Sequence, residues 1–118
     1  MLGSKPKEPL WRIFRSSKSI DAQFQVYRIA DKRLILDLQT DLIETGTRVV
    51  APLVSFISGP KAIRRLEPVF EINGAAYALH TGEMAAIPSA LLKGPPVANL
   101  SNLDYEIRSA LDMVFSGF

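Results

Sequence analysis

Asn73-Gly74 is the tightest constraint on this chain. A two-residue type I′ turn needs positive φ at both central positions, and Asn-Gly is the pair that supplies it most readily. Val69-Phe70-Glu71-Ile72 and Ala75-Ala76-Tyr77-Ala78-Leu79 flank it, so residues 68–80 are predicted to form a β-hairpin. A hairpin alone is marginal in water and needs further strands or a helix against its apolar face. The chain has 118 residues, of which 47% are hydrophobic, which is enough for one compact domain around one core and leaves no room for a second.

Further strands are legible upstream. Gln23-Phe24-Gln25-Val26-Tyr27-Arg28-Ile29 is rich in β-favouring residues, and Asp31-Lys32-Arg33 supplies a polar turn after it. Leu34, Leu36, Leu38 and Leu42 then share one parity while Asp37, Gln39 and Asp41 occupy the other, the pattern of a strand with one buried and one solvent face. Val49 to Val54 is a third strand; Pro52 within it cannot donate to a ladder, which predicts a sheet edge or a bulge there. Ser58 to Leu66 reads as a loop, and Gly94-Pro95-Pro96 as a break before a helix.

That helix is predicted to begin at Ser101, its hydroxyl capping free backbone N–H groups, with Asp104 near the positive end of the dipole. Leu103, Ile107, Ala110, Leu111, Val114 and Phe118 fall on one apolar stripe. Residues 1–21 differ from the rest: two prolines, basic and serine residues, and a short apolar island of Leu10, Trp11, Ile13 and Phe14. They read as a loosely attached basic extension, with the domain proper at 22–118, and they lack the roughly 7–15-residue apolar core of a signal peptide.

Charge and composition exclude several function classes. The extension carries five basic residues against two acidic ones, while 22–118 carries nine against ten. A near-neutral body releases few counterions from a phosphate backbone, so direct nucleic-acid binding by the domain is not expected. No apolar run approaches the ~18–20 residues needed to span a bilayer. No cysteine is present, which removes disulfides, thiolate zinc sites and cysteine nucleophiles. The missing cysteines are compatible with a reducing compartment, and a cytoplasmic location is the default expectation. His80 is the single histidine, without an HExxH spacing; no G-x-S-x-G turn or glycine-rich phosphate loop occurs, and Asp37, Asp41 and Glu44 read as solvated faces rather than a carboxylate pair. No cofactor or metal is implied, and the residues favour a binding protein over an enzyme.

Six segments in order carry a family resemblance: Gln23-Phe24-Gln25-Val26-Tyr27, Leu38-Gln39-Thr40-Asp41-Leu42-Ile43-Glu44-Thr45, Ala51-Pro52-Leu53, Leu66-Glu67-Pro68-Val69, Met84-Ala85-Ala86-Ile87-Pro88, and Ile107 to Phe118. Over residues 22–118 the chain resembles the CcdB toxins of bacterial toxin–antitoxin modules. The resemblance implies a mainly β fold with a C-terminal α-helix: a small, SH3-like, strongly bent antiparallel sheet or barrel, a minor inserted sheet, and assembly as a homodimer. It implies a toxin that poisons DNA gyrase by entering the cavity of the A-subunit dimer and trapping the cleaved-DNA complex. A CcdA-like antitoxin would neutralise it and join it in repressing transcription of the operon.

The family's gyrase contact is a C-terminal Trp-Gly-apolar ending, and those positions are Ser116, Gly117 and Phe118 here. Leu42 and Ile43 match an apolar pair near that surface, and Asp112 stands where the family has an uncharged amide. Loss of an indole from a binding hot spot costs at least ~2 kcal/mol. Phe118 is offset by two positions, and each residue turns a helix by about 100°. Two readings follow: an active toxin in which Phe118 replaces the indole, or a CcdB-like protein that has lost poisoning and acts through antitoxin binding.

Overall fold

The computed structural model describes residues 22–42, 45–56, 65–92 and 94–117. The N-terminal extension 1–21, and with it the proposed boundary at 22, lies outside the described residues, as do Ile43, Glu44 and Phe118. Among the described residues seven strands form one antiparallel sheet: β1 (Gln25–Arg28), β2 (Leu34–Asp37), β3 (Thr47–Ser55), β4 (Val69–Ile72), β5 (Ala75–Leu79), β6 (Ala85–Pro88) and β7 (Ala98–Asn99). Among the described residues one α-helix, α1 (Asp104–Ser116), follows. The order across the sheet is β4-β5-β3-β2-β1-β7, with β6 also paired to β3. The sheet bends into a nearly closed barrel, the mainly β architecture with a terminal helix that the sequence predicts.

The hairpin forms where Asn73-Gly74 predicts it, with φ of 52° and 86° at the two turn residues and Ile72 opposite Ala75. It continues the same sheet, joined to the rest through Leu53–Ser55 of β3. Thr81 fastens its far end: the buried hydroxyl donates to the Leu66 carbonyl at 2.6 Å.

Pro52 is not at a sheet edge. β3 is the central strand, paired along Val50–Leu53 with β2 and on its other side first with β6, over Thr47–Val50, and then with β5, over Leu53–Ser55. Pro52 sits where the second partner changes. Its carbonyl accepts the His80 N–H at 2.9 Å on that side, and the N–H and C=O of a strand residue point the same way. The missing donor therefore faces the gap between β6 and β5, where no ladder bond is lost.

The predicted leucine parity holds on one face only. Leu34, Leu36 and Leu38 join Phe24, Val26, Ala51, Leu53, Phe70, Ile72, Leu79, Leu100 and Ile107 in the main core. The opposite face of β2 is buried as well: Ile35 packs with Tyr27 and Val50 in a second cluster, beneath Ile87 and Leu92. All four residues of β2 are buried, including Asp37. The outer face of β2 is covered by β6, through Ile87, and by Leu92 just after the 3-10 turn that follows it, which a two-faced alternation pattern does not reveal.

Helix α1 packs the stripe that its spacing dictates. Ile107 and Ala110 are wholly buried and Leu103, Leu111 and Val114 partly so, a burial contributing on the order of 3 kcal/mol from Ile107 alone. Its start differs from expectation. Ser101–Leu103 is a 3-10 turn and α1 begins at Asp104. The Ser101 hydroxyl donates to Asn99 Oδ1 at 2.6 Å, and the Ser101 N–H donates to the same oxygen at 2.8 Å. Asn99 supplies the capping acceptor and Ser101 is the capped residue.

Candidate functional site

The helix end carries three of the residues that the resemblance implies. Gly117 adopts φ 81°, a left-handed conformation that side chains rarely tolerate, and its N–H donates to the Met113 carbonyl at 2.9 Å. The Ser116 hydroxyl turns back along the helix and donates to the Asp112 carbonyl at 2.6 Å. The structure thus joins Asp112 and Ser116 directly, and both side chains stand at the surface. Beside them Phe115 is 77% exposed. Among the described residues at this end, an aromatic ring that far into water is the largest unfulfilled apolar gain. It was legible as the aromatic before the Ser-Gly ending, but only its exposure separates it from the buried stripe. Farther up the same helix Arg108 pairs with Asp104 and lies 5.4 Å over the ring of Phe24.

The connection from β2 to β3 carries the other residues that the resemblance implies. Leu42 is 62% exposed on it, and its partner in the sequence pattern, Ile43, lies outside the described residues. A buried ion network supports this connection. Asp37 has no exposed surface and Arg48 only 6%. Arg48 Nε donates to both oxygens of Asp37, at 2.9 and 3.2 Å, and Nη2 donates to the Gln39 carbonyl at 2.8 Å and to Asp41 Oδ1 at 3.1 Å. The Gln39 N–H donates to Asp37 Oδ1 at 3.1 Å, and the Val49 N–H to Gln39 Oε1 at 3.0 Å.

Burial pushes the Asp37 carboxyl up from its ordinary range, against the pull of Arg48 and the Gln39 N–H. Burial also works against the charge on Arg48, yet Asp37 and Asp41 together hold the guanidinium above its ordinary value. The Tyr27 hydroxyl is raised by burial first and by the Asp37 charge second. Asp37 and Asp41 are therefore a core ligand and a half-buried latch, not the solvated face that alternation predicts. The sequence signal was present as an acidic residue on β2 and an arginine on β3, but only the strand register brings them together.

His80 lies outside this site. Its Nδ1 is 3.5 Å from Glu83 Oε2 across the 3-10 turn Thr81–Glu83. Among the described residues no cluster of three histidine, aspartate or glutamate side chains converges as a metal site would require, and no buried side-chain polar atom lacks a partner. No helix among them is long and apolar enough to cross a membrane.

The CcdB protein family model matches residues 23–117, nearly the whole chain. The chain belongs to the CcdB family. Membership gives it the context of a toxin–antitoxin module, in the role of the toxin, with an antitoxin as partner. Among solved structures, an endoribonuclease from Mycobacterial species superposes with a TM-score of 0.58 at 15% identity, over 79% of this chain and 88% of that one. At that identity the likeness is one of fold. Within the CcdB frame, Ser116 and Gly117 are at the end of α1 and Leu42 on the β2–β3 connection, so the surface that the resemblance implies is spread over two elements.

Proposed function

We propose that this CcdB-family chain is a gyrase-directed toxin that acts by binding rather than by catalysis. It works as a homodimer, traps the gyrase A-subunit complex with cleaved DNA, and is neutralised by its antitoxin, with which it represses transcription. The contact is the end of α1, with Phe115, Ser116, Gly117 and the C-terminal Phe118, flanked by Asp112 and supported by Leu42 and Ile43. The observation that carries this reading is Phe115. It is 77% exposed one residue before the position where the family has its indole, which leaves an aromatic side chain for stacking on cationic groups of the partner. This reading moves the aromatic role from Phe118 to Phe115.

One observation favours a second reading. The Ser116 hydroxyl is already engaged by the Asp112 carbonyl, so it offers little to a partner, and a CcdB-like protein that has lost poisoning would retain only antitoxin binding. A gyrase cleavage assay decides: purified gyrase, supercoiled plasmid, ATP and this protein, then detergent and protease. Linear DNA is expected from the parent chain, reduced more than tenfold by Phe115→Ala, as for an aromatic hot spot worth about 2 kcal/mol. No linear DNA from the parent, with recovery in Ser116→Trp, moves the function to antitoxin binding. Cleavage of RNA by the purified chain alone would overturn the non-catalytic reading.

A further inference from the structure

We infer that Asp41 is a positioning residue for the Leu42 surface, one carboxylate that ties the β2–β3 connection both to β3 and to the segment where the chain begins β1. The consequence for gyrase rests on the function proposed above; the positioning itself does not. Asp41 Oδ1 accepts Arg48 Nη2 at 3.1 Å and the Ala22 N–H at 3.1 Å, while Oδ2 faces the Gln23 N–H at 3.4 Å. Three donors from two separate segments converge on one side chain, immediately before the exposed Leu42. The connection's own turn bond, from the Leu42 N–H to the Thr40 hydroxyl at 3.3 Å, is exposed and long, and neutral bonds of that kind are weaker than charge-assisted ones.

The buried pair does not depend on Asp41. Arg48 keeps Nε on Asp37 and Nη2 on the Gln39 carbonyl when Asp41 is removed, and the side chain of Asp41 is about one quarter exposed, so water can replace it at the Ala22 and Gln23 amides. The other tie between that segment and the connection, from Gln23 Nε2 to the Leu38 carbonyl at 3.1 Å, lies at the connection's start beside β2, so next to Leu42 it is the Asp41 carboxylate that makes the link. Removal of the carboxylate therefore frees the connection and spares the core. Asp41→Asn keeps an acceptor at Oδ1 and gives up the charge, so it restores part of the link.

The chain has no cysteine, so a nitroxide on Leu42→Cys labels the full-length protein at one place, and Tyr105→Cys on α1, at an 81% exposed position, serves as control. The expected result is faster label motion at 42 when Asp41→Ala is added, intermediate motion with Asp41→Asn, no change at 105, and a melting temperature lowered by no more than about 5 °C. On the unlabelled chain, Asp41→Ala lowers linear DNA from gyrase roughly tenfold, the equivalent of lost hydrogen bonds to a charged group, and Asp41→Asn recovers part of it. Identical label spectra at 42 with and without the carboxylate overturn the inference. So does loosening at 42 and 105 together, or loss of folding in both variants, since either makes Asp41 a general structural residue. If the parent chain yields no linear DNA, the gyrase reading falls while the label spectra still decide the positioning.

Discussion

Replacing Arg48 with methionine removes the guanidinium from a carboxylate that has no exposed surface. Methionine keeps most of the aliphatic stem in place, so the change falls on the charge and its hydrogen bonds. Asp37 would lose both Nε contacts, at 2.9 and 3.2 Å, and keep only the Gln39 N–H at 3.1 Å. Removal of one partner from a buried pair costs about 3–5 kcal/mol. The stranded carboxyl can also take up a proton, which for a group with an ordinary pKa near 4 costs about 4 kcal/mol at pH 7. Burial has already moved Asp37 upward in the parent chain, so the lower end, about 3 kcal/mol, is expected. Against a typical total of about 5–15 kcal/mol that is a large loss.

Urea unfolding at fixed protein concentration, which keeps the midpoint comparable for a chain proposed to dimerise, reads it as a midpoint about 2 M lower for a slope near 1.5 kcal/mol/M. In Arg48→Met the native state holds the Asp37 proton to a higher pH than the unfolded state does, so its stability rises as pH falls through that window. About half of the loss should return at pH 5. The parent shows the same sign weakly, because its Asp37 is raised as well. A loss under about 1 kcal/mol, or an equal loss at pH 7 and pH 5, would refute a dry, dependent pair.

Two further substitutions probe local geometry. Gly74→Ala places a side chain at φ 86° in the hairpin turn; nothing lies within 4 Å of the added methyl, so the cost is backbone strain alone, about 1–2 kcal/mol, measurable as a lower melting temperature. Asn99→Ala deletes the acceptor for the Ser101 N–H and hydroxyl; a loss of about 1 kcal/mol with faster amide exchange at Ser101 is expected, whereas Ser101→Ala should cost less because it leaves the backbone bond intact.

Legibility in the sequence follows the range of the interaction. Asn73-Gly74 and the stripe from Leu103 to Val114 report on neighbours within a few residues, and the structure places both as expected. Pro52 was read from its own missing donor, but its tolerance depends on which strands pair beside it, namely β6 up to Val50 and β5 from Leu53. Asp37 was assigned to water by a period-two rule that holds for a sheet with one wet face; here Ile87 and Leu92 belong to the cluster behind β2. The Ser101 cap failed for a smaller reason, since Asn99 two residues earlier offers a better placed acceptor. At the site, Ser116, Gly117, Asp112 and Leu42 came from family position. Phe115 is set apart only by its exposure in the folded chain, because helical spacing alone does not say where the apolar stripe ends.

The end of α1 separates stability from recognition. Near the helix end the Met113 carbonyl accepts the Gly117 N–H and the Asp112 carbonyl accepts the Ser116 hydroxyl, and neither contact depends on an indole at 116. Serine and tryptophan have similar helix propensities, and the side chain at 116 is exposed. Ser116→Trp should therefore change unfolding free energy by no more than about 0.5 kcal/mol, the usual range for a surface substitution, whatever it does to gyrase. Positions 115 and 116 point about 100° apart around the helix axis, so Phe115 and a tryptophan at 116 address different directions on a partner. If both serve the same contact, Phe115→Ala should be nearly silent in the Ser116→Trp background and strong in the parent. Equal effects in the two backgrounds would mean that Phe115 holds a separate contact, for instance the dimer seam, and that the aromatic role at this helix end is not shared.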